Sequence, residues 1–239
     1  MQLFADEYDS WYYTKKGKYI SGLEKRVLLK MIKLSVISYQ SSAIDIGCGT
    51  GYFTEFLSGF CKNIIGVDTS MDMIKYAMIK HKDSNIKYLI ADAESLPFKE
   101  RSFDISVSVT AVNFIKNPAR AVSEAVRISR QKIFLGVLNR WSLLSFFKKL
   151  KNLFKNTSYS NACFYSQRDI VNMLKSLPPP FFKGGRGGIQ KHHTYFLPFP
   201  RIHLLLSGLE RIIPSWLPFG GFMGILGDIE RGCINEQIK

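Results

Sequence analysis

The stretch AIDIGCGTGYFTEF, Ala43 to Phe56, sets a short apolar run before three glycines at alternate positions (Gly47, Gly49 and Gly51), then returns to apolar residues at helical spacing. Glycine at every second position breaks regular structure, so the segment makes room for something that approaches the main chain. SAIDIG reads as a buried strand and YFTEFLSGF as a helix ending near Gly59, which puts the glycines at a strand-to-helix turn. In an open parallel sheet, ligands bind at such turns, outside the carboxyl ends of the strands. The helix beginning near Tyr52 adds free N–H groups and a positive dipole end, which suits a ligand with a polar or anionic group.

The alternation continues on both sides of the turn. Upstream, GLEKRVLLKMIKLSVI (22–37) has apolar residues at helical spacing. Downstream, NIIGVD is a second buried strand, SMDMIKYAMIKH a helix behind a Ser N-cap, IKYLIAD a strand, FDISVSV another, PARAVSEAVRIS a helix with Pro118 in its first turn, and KIFLGVL a fifth strand. Strands alternating with helices from about residue 43 to 138 predict right-handed crossovers and a doubly wound α/β fold, with a mostly parallel, Rossmann-like sheet. Seven strands are expected, the last two antiparallel partners from about 181–196 and 220–229. Beyond Leu138, RWSLLSFFKKLKNLFKN (140–156) reads as an amphipathic helix and SQRDIVNMLKSL (166–177) as a second helix. One domain is expected over 1–239, with an N-terminal helical cap (1–40), a ligand-binding core (41–138) and C-terminal substrate or lid elements with the last two strands (139–239).

The chain has 239 residues and a net charge of +14, unevenly spread: residues 1–130 carry 18 Lys and Arg against 14 Asp and Glu, residues 131–239 carry 15 against 5. A basic half attracts nucleic acid, an anionic membrane or an acidic substrate, or simply solvates one face. Cys48, Cys61, Cys163 and Cys233 form no CxxC pair, which favours free thiols in a reducing compartment and hence the cytoplasm. The acidic, aromatic N-terminus lacks the pattern of a secretory signal. The most apolar late segment is interrupted by Pro214 and Pro218, and no transmembrane helix is expected.

Three ligand classes use a glycine-rich strand-to-helix turn. A P-loop requires GK[ST] to close it, and here Tyr52 and Phe53 follow Gly51, which argues against a nucleoside triphosphate. A dinucleotide fingerprint reads GxGxxG, whereas this turn reads GxGxG with Asp45 two residues ahead, leaving an NAD-dependent oxidoreductase as an alternative. Asp68 ends the second strand, 17 residues after Gly51, where a carboxylate can accept both hydroxyls of a ribose. Asp92 ends the third strand in the same way. The three strand tips outline a site for an adenosine-containing ligand.

The ordered set DIGCGTG (45–51), GVDTSMDMI (66–74), ADAESLPF (91–98), FDISVSVTAVNFI (103–115) and the lead-in FADEYDSWY (4–12) resembles the class I S-adenosylmethionine-dependent methyltransferases of the ubiquinone/menaquinone-biosynthesis-like, type 11 branch. The resemblance covers roughly residues 4–138. It implies that Gly47, Cys48 and Gly49 lie against the methionine part of S-adenosyl-L-methionine and that Asp68 binds the ribose. Met73 would pack on the adenine, Asp92 would accept from its amine, and Ala93 would contact the ring edge. Thr110 would face the methionine moiety and the sulfonium. Asp45, Gly51 and Thr69 join the same cofactor-binding set, and Tyr8 and Tyr19 come from the segment that folds over the cofactor in relatives. Cys48 reads as a small apolar spacer, with no partner base to make it a nucleophile.

A sulfonium is already an activated methyl donor, so a catalytic side chain is optional. Where the acceptor must lose a proton, His192, His193 and Tyr195 are the candidate bases, with Asn113 as a positioning group. No His/Cys/Asp cluster has metal-ligand spacing, and no metal is expected. The fourth strand exits as VTAVNF, without the Asn/Asp-Pro-Pro-Tyr/Phe loop of exocyclic-amine methyltransferases. In the basic half, Trp141, Leu144, Phe147, Leu150 and Phe154 can share a face opposite Lys148, Lys149, Lys151 and Lys155, which fits a lid over an apolar pocket or a helix lying on an anionic membrane. With Phe181, Phe182, Phe196, Phe199, Trp216, Phe219 and Phe222 nearby, a small apolar acceptor is favoured over RNA, which remains the alternative.

Overall fold

A computed structural model describes residues 2–33, 38–82, 84, 86–141, 162–176, 189–197 and 222–229. Two helices open the chain, α1 (Gln2–Tyr13) and α2 (Lys15–Lys33). Strands and helices then alternate: β1 (Ser42–Ile46), α3 (Tyr52–Ser58), β2 (Asn63–Asp68), α4 (Met71–Lys80), β3 (Lys87–Ile90), β4 (Phe103–Val109), α5 (Pro118–Ile128) and β5 (Ser129–Leu138). After these come α6 (Gln167–Lys175), β6 (Ile189–Leu197) and β7 (Phe222–Ile229). The sheet order is β3-β2-β1-β4-β5-β7-β6, with β1 to β5 parallel and β7 antiparallel to both β5 and β6. This is the doubly wound α/β arrangement expected from the sequence.

Local chemistry sets the helix starts. The Ser70 Oγ accepts the Met73 N–H at 3.4 Å to cap α4, and Asn117 caps α5 ahead of Pro118. At α6, Ser166 and Asp169 form a reciprocal capping box. The last two strands, β6 and β7, are the expected antiparallel partners; the part of the first expectation that falls on 181–188 lies outside the described residues. The basic amphipathic segment 140–156 also lies outside them, apart from its first two residues.

Strand periodicity divides the core between the two faces of the sheet. Ala43, Ile105, Val107, Val109 and Phe134 pack with Val27, Leu28 and Met31 of α2 and Phe53 and Leu57 of α3. Ile44, Ile46, Ile133, Leu135 and Val137 pack on the opposite face with Val122, Ala125 and Val126 of α5 and Ile170 and Leu174 of α6. Two serines on that second face are satisfied internally: Ser106 Oγ lies 2.5 Å from Ser129 Oγ, and Ser108 Oγ donates to Ile46 O at 3.0 Å. Lys132 of β5 stands directly opposite Asp228 of β7 and forms an ion pair with it, helping to pin that antiparallel register. Among the described residues, no helix is long and apolar enough to cross a membrane.

Phe134 is fully buried on β5, between α2 and the sheet. Phe134→Ala is expected to lower unfolding free energy by about 3–5 kcal/mol in urea titrations, the range for emptying a buried aromatic site. A loss below about 1 kcal/mol would place Phe134 outside the well-packed core.

Candidate functional site

The glycine turn leaves β1 and crosses the end of β2. Gly47 N–H and Cys48 N–H both donate to Val67 O, at 2.8 and 3.0 Å. Gly47 and Gly51 have φ of +76° and +82°, and a Cβ on them would lie 2.1 Å from Ala111 Cβ and 2.3 Å from the Tyr88 hydroxyl. Backbone conformation and neighbours therefore both demand glycine there. Behind Gly51, His81 Nε2 and the Tyr88 hydroxyl are buried and find no protein hydrogen-bond partner among the described residues.

Asp68 ties the turn to the next one. Its Oδ2 accepts the Gly49 N–H at 2.9 Å and its Oδ1 accepts the Ser70 N–H at 2.9 Å. A carboxylate offers about four lone-pair positions, so two remain for hydroxyl groups beside the turn. Ala91 N–H donates to Asp68 O at 3.1 Å, which carries the chain after β3 to the same sheet edge. There Asp92 is exposed, with its Oδ1 accepting the Glu94 N–H at 2.9 Å, and Ala93 is buried. Thr69 is exposed next to Asp68, and Met73 is buried in the first turn of α4.

Asp45 is 1% exposed, and its Oδ2 accepts the Thr54 hydroxyl at 2.7 Å. Burial pushes its carboxyl up to about 7; the Thr54 bond opposes the shift and the charge of Asp68 adds to it. Burial also pushes the Cys48 thiol well above its ordinary value, as expected of a spacer rather than a nucleophile. After β4, Thr110 takes a left-handed conformation, φ +62°, costing roughly 1–2 kcal/mol for a residue with a Cβ. Its N–H donates to Gly136 O at 2.7 Å and its hydroxyl to Val109 O at 2.7 Å, and the following residue, Ala111, abuts Gly47.

Helix α1 lies over the turn. The Tyr8 ring comes 3.6 Å from where a Gly49 Cβ would be, while staying 42% exposed. Tyr12 stacks on Tyr52 with centroids 3.9 Å apart. Tyr19 sits half buried on α2, where burial raises its hydroxyl pKa against the charge of Arg26. The sequence reading missed Asp9, which accepts the Thr50 hydroxyl at 2.7 Å and pairs with Lys80 at 2.8 Å. Its only sequence signal was a position within the FADEYDSWY lead-in.

Asn113 is not placed to handle a substrate. It is fully buried; its Nδ2 donates to Cys163 O at 2.5 Å and its Oδ1 accepts the Leu138 N–H at 3.1 Å, which binds the 162–165 segment to β5. His192 and His193 pair in register with Gly227 and Leu226, which pair in turn with Ile133 and Phe134. That register sets them four to five residues before the carboxyl end of β5, roughly 15 Å back from the strand tips. Tyr195, opposite Gly224, lies nearer that edge. Among the described residues, no group of three or more His, Cys, Asp or Glu could hold a metal ion.

The family profile described as "Methyltransferase domain" matches residues 44–135. An uncharacterized protein of Methanocaldococcus jannaschii is 34% identical over 179 residues, covering 73% of this chain and 78% of that protein. A malonyl-[acyl-carrier protein] O-methyltransferase of Hamiltonella defensa is 30% identical over 110 residues; the match spans 46% of this chain and 42% of that enzyme's length. Among solved structures, a SAM-dependent methyltransferase of Thermotoga maritima, described as a possible histamine N-methyltransferase, superposes with a TM-score of 0.67 at 26% identity, covering 96% of this chain and 98% of that one.

The raised Asp45 carboxyl makes stability depend on pH. Between the ordinary value of 3.8 and about 7, the folded chain holds a proton that the unfolded chain releases, so stability falls as pH rises through that window and levels off above it. Asp45→Asn keeps an acceptor for Thr54 and removes the charge. In ligand-free calorimetric scans, its melting temperature relative to the parent is expected to climb from about pH 4 to about pH 8. A difference that does not vary with pH would exclude Asp45 as the titrating group.

Proposed function

The chain belongs to the class I S-adenosylmethionine-dependent methyltransferases, and we propose that within this family it methylates a small, apolar acceptor in the cytoplasm. When bound, S-adenosylmethionine supplies a methyl group already activated on sulfur. The protein's part is to hold an acceptor in line with that group and to exclude water.

The observation that carries the site assignment is the Asp68 carboxylate, with each oxygen holding one backbone N–H and a further acceptor position open. In this reading, Asp68 takes the ribose hydroxyls, with Thr69 beside it. Gly47, Cys48, Gly49 and Gly51 offer main chain to the methionine part, and the buried Asp45 lies beneath it, where a positively charged neighbour would favour its ionised form. Met73, Asp92 and Ala93 frame the adenine. Thr110 borders the sulfonium, and Tyr8 covers the methionine part from α1. Tyr19 belongs to the same cap.

The apolar-acceptor reading rests on two aromatic side chains near the exits of β4 and β5. Phe114, 48% exposed, and Trp141, 64% exposed, come just beyond the ends of those strands, ahead of the aromatic-rich final third of the sequence. With Asn113 consumed by structural hydrogen bonds and His192 and His193 set back by register, the reading needs no dedicated base. It suits an acceptor that is already nucleophilic at neutral pH. RNA is the second reading, carried by the basic excess in residues 131–239. The oxidoreductase alternative gains nothing from the relatives, which are methyltransferases where their activity is named.

Transfer of labelled methyl from the cofactor into a host-cell extract, fractionated into lipid, small molecules, RNA and protein, tests the acceptor. Label is expected in the apolar small-molecule or lipid fraction. Label in RNA, together with tRNA binding that weakens steeply with added salt, would replace this reading with the nucleic-acid one.

A further inference from the structure

Helix α1 buries a seam of Ala5, Asp9 and Tyr12, one residue per turn on a single face, and the middle of that seam is a carboxylate. Asp9 is only 3% exposed. Its Oδ1 accepts the Thr50 hydroxyl at 2.7 Å; its two oxygens take the Lys80 ammonium at 2.8 and 3.0 Å; and the Tyr76 hydroxyl donates to its Oδ2 at 3.4 Å. The donors come from two places that flank the site, the glycine turn and the last two turns of α4. On the same helix Phe4 and Tyr13 are exposed, while Tyr12 and the partly buried Trp11 pack against the core, so the Asp9 contacts add a polar attachment to an apolar one.

We infer that Asp9 is a positioning residue that latches α1 over the glycine turn through Thr50 and Lys80, and that this latch sets how fast the cofactor enters and leaves. The inference rests on the cofactor lying against that turn. The physical reason lies in the chemistry of the seam. An apolar residue at position 9 would favour the docked helix permanently, whereas a carboxylate and an ammonium regain hydration when α1 lifts. Docked, they are charge-assisted and mutually neutralised, and Asp9 is stable there only while Lys80 and Thr50 both face it. Closure is thus strong but reversible. Because Tyr8 rides next to Asp9 and covers Gly49, lifting the latch uncovers the main chain against which the methionine part lies.

Stopped-flow tryptophan emission on the full chain, with S-adenosylhomocysteine as the probe, reads entry and exit. Hydrogen exchange reads α1. Asp9→Asn and Lys80→Met are expected to raise the dissociation rate constant about tenfold or more, the effect of losing a hydrogen bond to a charged partner. The association rate constant should rise in the same direction, since both passages cross the same closed state. Exchange of the α1 amides should speed up while those of β1 and β4 keep parental protection, and Lys80→Arg should stay within about twofold of the parent. Parental rate constants in Asp9→Asn would overturn the inference, as would faster exchange spread across the whole sheet, which marks a purely structural role. If the parent protein itself takes up no S-adenosylhomocysteine, the cofactor assignment fails first and the latch falls with it. Uptake by the parent with unaltered variant kinetics sinks the latch alone.

Discussion

Val67 at the end of β2 receives two amides from the neighbouring turn, those of Gly47 and Cys48, and the residue after it, Asp68, receives a third from Gly49. This crossing of one strand's exit over the tip of the next fixes much of the site. Gly47 takes a left-handed conformation at this crossing, and Ala111, arriving from the exit of β4, leaves no room there for a side chain. The crossing also aims the main chain of Gly49 outward beneath Tyr8, and directs the Asp68 carboxylate into the gap between the two turns. The parallel sheet makes the crossing available, since β1 and β2 run in register from Ser42 and Asn63 to Ile46 and Val67 and end together. The packed faces on either side hold it still.

The polar groups under that crossing are placed at some expense to the fold. Asp45 is buried with a single hydroxyl donor from Thr54 and the charge of Asp68 nearby, and Thr110 holds a conformation that its Cβ disfavours. Strain and buried charge of this kind persist where surrounding structure over-determines them, and they collect at sites that must be preorganised. A ligand bearing positive charge above Asp45 would relieve part of that burden.

The sequence reading reached the strands and helices around the glycines because each carries a local signal. Ser70 and Asn117 cap their helices, Pro118 starts one, and the β-branched runs at Ile64–Ile65 and Ile105–Val107 read as buried strands. Asp68 was legible for the same reason, as a carboxylate ending a strand at a fixed interval from the turn. Asp9 was not, because its partners lie 41 and 71 residues away and no periodic pattern links them. Asn113 was misjudged because proximity to a strand tip looks the same in sequence whether the side chain faces a ligand or binds the backbone of Cys163 and Leu138. The histidines on β6 were ambiguous until the antiparallel register with β7 set them back from the functional edge.

In the proposed reading these strand tips hold S-adenosylmethionine through Asp68 and the glycine turn. Titration calorimetry with S-adenosylhomocysteine tests it most directly. Saturable binding at one site per chain is expected for the parent, weakened by about tenfold to a hundredfold in Asp68→Ala, the effect of removing a charged acceptor from two hydroxyls. No heat with the parent protein, or equal affinity in Asp68→Ala, would contradict the account, and binding of NADH in its place would restore the dinucleotide alternative.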